Sequence, residues 1–146
     1  MKPKYASRFI KNISNYKLVQ ALLRMTVDGY YFNNGWIDSV KKQRPIDSNG
    51  NPLPWLSYPF IDFIAERIKP EFNIFEFGAG NSTLYFAPKV NSVYSVENDK
   101  DWFETLSKIL PKNATVVYEP DLKSGAYAKQ INNPSQKFEL ILVDGR

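Results

Sequence analysis

Four apolar runs of strand length occupy the second half of the chain, at 73–77 (NIFEF), 92–96 (SVYSV), 115–118 (TVVY) and 139–143 (ELILV). Between the second and third, Trp102, Phe103, Leu106, Ile109 and Leu110 recur at helical spacing, acids gather in the first turn, and Pro111 ends the pattern. Segments 82–88 and 122–131 have room for shorter helices. Strands separated by helices imply a parallel sheet with right-handed crossovers. A run such as LILV, with no polar alternation, suits a strand covered on both faces. The spacing therefore predicts an α/β fold of three layers, a mostly parallel sheet between helices.

Upstream, Ser57 is placed to cap a helix that begins around Pro59 and stops before Pro70, with Phe60, Ile61, Ile64 and Ile68 as its buried stripe. Residues 33–59 read as loop, since they hold Asn33-Asn34-Gly35, the run from Asp47 to Asn51, and four prolines. Trp36, Trp55 and Tyr58 are expected to pin that loop to a core. Residues 16–25 place Leu18, Val19, Leu22 and Leu23 on one helical face, expected to pack with the nearby basic residues left in water. The division expected is a basic helical arm and loop over 1–51, then an α/β domain over 52–146.

Composition narrows the chemistry. With 146 residues the chain suits one ordinary core. It has no cysteine and no histidine, which excludes disulfides, zinc–thiolate sites, cysteine nucleophiles and the Ser-His-Asp arrangement. Carboxylates, hydroxyls, amides, backbone groups or a cofactor must do the work, and no metal site is expected. Six basic residues (Lys2, Lys4, Arg8, Lys11, Lys17, Arg24) precede the first acid, Asp28, while the other 13 basic residues are outnumbered by 15 acids. Such an arm suits an anionic partner and leaves nucleic acid open. No apolar run approaches the roughly 18 residues of a membrane span, and no signal-peptide pattern opens the chain. A soluble, cytoplasmic protein is the expectation.

In a doubly wound sheet, ligands bind at the carboxyl ends of the strands. The polar residues there are Glu76, Gly78, Gly80, Asn81 and Ser82 after the first strand, and Glu97, Asn98 and Asp99 after the second. Glu119 and Asp121 follow the third strand; Asp144, Gly145 and Arg146 follow the fourth. The glycines allow close backbone approach and dihedrals closed to other residues. Glu97 lies 19 residues beyond Gly78, the distance at which nucleotide-binding folds place an acid for the ribose hydroxyls. A phosphate-binding loop fits less well. There is no Gly-Lys-Ser/Thr, and the third glycine of the dinucleotide pattern is replaced by Thr83. Glu76 suits a cationic ligand better than a pyrophosphate.

FEFGAGNST, YSVEND and FELILVDGR together resemble motifs I, II and IV of the class I S-adenosylmethionine-dependent methyltransferases. The lead-in PWLSYPFIDFI is similar to a bacterial branch of that superfamily, so the resemblance spans about residues 52 to 146. It implies a Rossmann-like sheet in the order 3-2-1-4, with the family's remaining strands lying beyond Arg146. LILV would then be an exposed apolar edge, and the chain a fragment or one completed by a second chain or by self-association through that strand. By the same resemblance, Glu76 faces the amino-acid end of S-adenosylmethionine and Gly78 and Gly80 make room for it. Asn81 and Ser82 offer hydrogen bonds, Glu97 holds the ribose, and Asn98 and Asp121 border the adenine. Asp144 contacts the methionine moiety or the acceptor, and Asp144 or Glu119 would serve where a catalytic base is needed. The methyl acceptor is unknown. Two other readings stay open: a nicotinamide dinucleotide-binding domain of an oxidoreductase, and a non-enzymatic module that associates through the basic arm and the bare fourth strand.

Overall fold

The computed structural model describes residues 16–132 and 134–144 of a chain that divides into two units, Met1–Gly50 and Asn51–Arg146. Lys2, Lys4, Arg8 and Lys11 of the basic arm lie outside the described residues, as do Gly145 and Arg146. No helix among the described residues is long and apolar enough to cross a membrane.

In the first unit, helix α1 (Tyr16–Arg24) has no buried residue, so the apolar stripe set by its periodicity remains largely exposed at Leu22 and Leu23. Two short helices follow, α2 (Tyr30–Asn33) and α3 (Trp36–Lys42), the second inside the stretch 33–59 that the sequence predicts as loop. Gly35 joins them in the left-handed region (φ 83°) and sits so close to the backbone of Asp47 and Ser48 that a Cβ has no space. The Ser39 hydroxyl then locks the returning chain: it donates to the Ile46 carbonyl (2.8 Å) and accepts from the Ile46 N–H (3.0 Å). Asp38 in the first turn and Lys41 and Lys42 in the last match the helix dipole of α3, a signal outweighed by the surrounding Asn, Gly and Pro. Ile46, not Trp36, is the residue buried there.

The second unit carries the sheet. Leu53 and Pro54 are buried at its start, while Trp55, expected to pin the loop, is 64% exposed. Helix α4 (Tyr58–Ala65) has Ser57 at its N-cap and Pro59 in its first turn. The Ser57 side chain makes no capping bond; its backbone carbonyl accepts from the N–H groups of Phe60 and Ile61 instead. Ile61 and Ile64 are buried, whereas Phe60 stacks on Phe63 at 6.0 Å on the exposed side.

Strands β1 (Asn73–Phe77), β2 (Ser92–Glu97), β3 (Ala114–Tyr118) and β4 (Leu140–Val143) form an all-parallel sheet in the order β3-β2-β1-β4. Helix α5 (Asn81–Phe86), continued by a 3-10 turn at Ala87–Lys89, joins β1 to β2. Helix α6 (Lys100–Ser107) joins β2 to β3, and α7 (Ala126–Lys129) lies between β3 and β4. This is an α/β, Rossmann-like arrangement.

The period-two alternation of β1 divides its side chains between two faces. On one, Ile74 joins Ile64, Phe86, Ala87, Val90 and Val93 in the core, with Leu140 and Leu142 packed against it. On the other, Phe75 stacks with Tyr94 (5.7 Å) and meets Phe77 and Phe138 edge-on. Two expectations need correction. The apolar stripe of α6 buries only Leu106, with Trp102 and Ile109 exposed. The β4 run is covered on one face only: Ile141 and Val143 are 48% and 77% exposed.

Candidate functional site

The sheet register brings the chemistry together before any loop does. Glu76 and Ser95 are register partners on adjacent strands, so their side chains stand on the same face. The Ser95 hydroxyl donates to Glu76 Oε2 at 2.7 Å. From α5, the Thr83 hydroxyl donates to that same oxygen at 2.5 Å and accepts from the Gly80 N–H at 3.1 Å. Glu76 is 1% exposed, and among the described residues no hydrogen bond reaches its other oxygen, Oε1. Burial pushes the Glu76 carboxyl up; the hydroxyls of Thr83, Ser95 and Ser82 pull it back, and the charge of Asp144 adds to the rise.

Glu97 ends β2 on the same face, two residues beyond Ser95. Its Oε1 accepts from the N–H groups of Asn98 and Asp99, both at 2.8 Å. Its Oε2 accepts from the Ala79 N–H at 3.0 Å. An ionised carboxylate has about four lone-pair positions, so Oε2 keeps room for one further donor. Asp99 then caps α6 by accepting from the Trp102 N–H (2.9 Å).

Together these bonds occupy the N–H groups of the glycine turn. Gly78 donates to the Val96 carbonyl (2.9 Å), Ala79 to Glu97, and Gly80 to Thr83. A phosphate-binding turn works by directing such N–H groups at the anion. This turn directs them inward, onto carboxylate, hydroxyl and carbonyl oxygens. The Ala79 carbonyl is held as well, by the Trp102 indole N–H at 2.7 Å.

The two glycines differ in what they need. Gly78 has φ 94°, the region that favours glycine. Gly80, at φ 177°, is extended backbone open to any residue, and a Cβ there would make ordinary contact with the Trp102 ring. The dihedral requirement expected of both holds for Gly78 alone.

The remaining candidates are spread around this centre. Ser82 is buried beside Glu76, and Asn81 is half-buried at the first position of α5. Asn98 lies half-buried in the turn bound by Glu97. Asp144 is exposed just past β4, its N–H donating to the Phe77 carbonyl (2.9 Å), near enough to Glu76 for its charge to be felt. Asp121 is exposed and closes its own turn, accepting from the N–H groups of Lys123 and Ser124 (2.9 Å each), and Ser124 holds its carboxyl below the usual range. Glu119 accepts from the Asp121 N–H (3.0 Å) and from the Gln130 amide (3.3 Å). Among the described residues, no group of three or more acidic side chains is placed to hold a metal ion.

Four contributors escaped the sequence reading. In the sequence Thr83 stands where the dinucleotide pattern has a glycine, at the start of a short helical segment, and Ser95 lies inside an apolar run. Trp102 was counted in an apolar stripe. Tyr127 of α7 donates its hydroxyl to the Val96 carbonyl (3.1 Å) and packs on Phe77 (5.6 Å); burial, and next the charge of Glu97, push that hydroxyl up to about 12. A polar residue at an inward strand position, as Ser95 is beside Glu76, was the available signal. Neither protein-family models nor curated proteins match this chain.

Proposed function

We propose that the chain is an S-adenosylmethionine-dependent methyltransferase, or the cofactor-binding part of one, acting on a methyl acceptor whose class is open. The observation that carries this reading is the bare, buried Oε1 of Glu76 beside a glycine turn whose N–H groups are already taken. A buried carboxylate oxygen without a donor costs free energy that a cationic hydrogen-bond donor recovers. The N–H groups of Gly78, Ala79 and Gly80 are therefore not available to a pyrophosphate. A nucleoside bearing an ammonium group and no phosphate answers both conditions, and S-adenosylmethionine is such a molecule.

On this reading Glu76 meets the ammonium end, with Asp144 adding negative charge nearby. Glu97 accepts one ribose hydroxyl through the free position on Oε2. Gly78, Gly80, Asn81 and Ser82 border the methionine and ribose portion, and Asn98 and Asp121 lie toward the base. The cofactor supplies an activated methyl group on a sulfonium, so the protein's share is alignment. Acceptors that need deprotonation would turn to Asp144, exposed just past β4, or to Glu119, whose oxygens accept from the Asp121 N–H and the Gln130 amide.

Isothermal titration with S-adenosylhomocysteine tests the assignment. Binding is expected, weakened roughly tenfold or more in Glu97→Ala, which removes a charged hydrogen-bonding group. Equal affinity in the variant sinks the ribose assignment. A rise in melting temperature with NAD(H) and none with S-adenosylhomocysteine favours the oxidoreductase reading instead. The exposed Ile141 and Val143 of β4 favour a second reading, an association module completed by another strand along that edge.

A further inference from the structure

We infer that Thr83 is a positioning residue that joins the glycine turn to Glu76 and leaves one carboxylate oxygen of Glu76 bare for a ligand's donor. The ligand part of this inference rests on the reading above.

The proton count assigns the directions. Gly80 N–H is a donor, so Thr83 Oγ1 accepts from it and spends its own single proton on Glu76 Oε2. Ser95 Oγ has one proton as well, and it goes to the same oxygen. The 3.3 Å approach of Thr83 to Ser95 therefore carries no proton of its own. Both hydroxyls thus meet at Oε2, and among the described residues Oε1 receives no hydrogen bond. A cationic donor arriving at Oε1 would supply the missing partner.

Threonine suits this task better than its hydroxyl alone would suggest. The residue is fully buried, and β-branching restricts its χ1, so the hydroxyl is held between Gly80 and Glu76. The sequence Glu76-x₃-Gly80-x₂-Thr83 thus ties strand, turn and helix through one oxygen atom. Asp144 is the charged group whose field is felt at Glu76.

Thr83→Val keeps the shape and removes the hydroxyl; Thr83→Ser keeps the hydroxyl and removes the methyl; Ser95→Ala removes the other hydroxyl bound to Glu76 Oε2. Three measurements on the full chain separate the roles. Hydrogen exchange at the Gly80 amide should accelerate in Thr83→Val and stay slow in Thr83→Ser and Ser95→Ala. Carboxyl-carbon NMR should show Glu76 titrating at higher pH in both Thr83→Val and Ser95→Ala than in the parent. Affinity for S-adenosylhomocysteine should fall roughly tenfold or more in Thr83→Val and recover most of that loss in Thr83→Ser. Unchanged Gly80 exchange and Glu76 titration in Thr83→Val overturns the inference whatever the ligand. Should both move while the parent chain binds no S-adenosylhomocysteine, Thr83 keeps its positioning role and the methyltransferase reading falls.

Discussion

Gly78 and Gly80 stand two residues apart in FEFGAGNST, yet only Gly78 occupies a backbone region that disfavours a side chain. Gly78→Ala should lower stability by about 1–2 kcal/mol, while Gly80→Ala should leave the urea midpoint close to that of the parent. Similar losses in the two variants would contradict the backbone description. Glu76 sets a pH dependence of its own. Its folded-state carboxyl is raised above the reference value of 4.5, so above that value the folded chain keeps a proton that the unfolded chain has released. Stability from this group is present at low pH and is lost as pH rises through the folded value. Urea unfolding at several pH values between 5 and 8 should show a decline in the parent that Glu76→Gln flattens. An identical slope in the two proteins would mean that Glu76 ionises as easily folded as unfolded.

At the scale of elements, period and length were legible where packing is regular. All four strands form within a residue or so of their largely apolar runs, which have the length and composition of strands in a parallel sheet. α3 was hidden, since WIDSVKK is short and lies among turn-forming residues; Gly35 and the Ser39–Ile46 bonds make it possible. α5 was legible only as a short segment, and its weight in the fold comes from the fully buried Phe86. Phe86→Ala should cost about 3–5 kcal/mol, measured by chemical denaturation. Because α5 also carries Thr83, the same variant should accelerate exchange at Gly80. A loss below about 1 kcal/mol would mean that α5 is not anchored through this ring.

Across the whole molecule, the sheet has a central strand, β1, in register with β2 and β4, and an outer strand, β4, whose Ile141 and Val143 lie open on one face. Exposed apolar edges pair with other strands unless charge or covering prevents it. Concentration-dependent association is therefore expected in light scattering, and Val143→Lys should shift the chain toward monomer while leaving β1–β4 pairing intact. A monomer at every concentration, in the parent as in the variant, would remove the association-module reading.

What the sequence determined by itself is the kind of sheet and which residues stand at its carboxyl edge. Those follow from local rules, since apolar period decides element type and alternating strands and helices imply parallel pairing; the order 3-2-1-4 was implied by the family resemblance. Only the tertiary structure decided what each polar residue bonds to. Whether Glu76 is bare on one oxygen, whether the turn's N–H groups point at a ligand or inward, and whether Thr83 is a missing glycine or the tie between strand and helix depend on hydrogen bonds between residues 3 to 19 positions apart. A hydrogen bond needs both partners within a few tenths of an ångström, and only the packed chain brings strand, turn and helix to that distance.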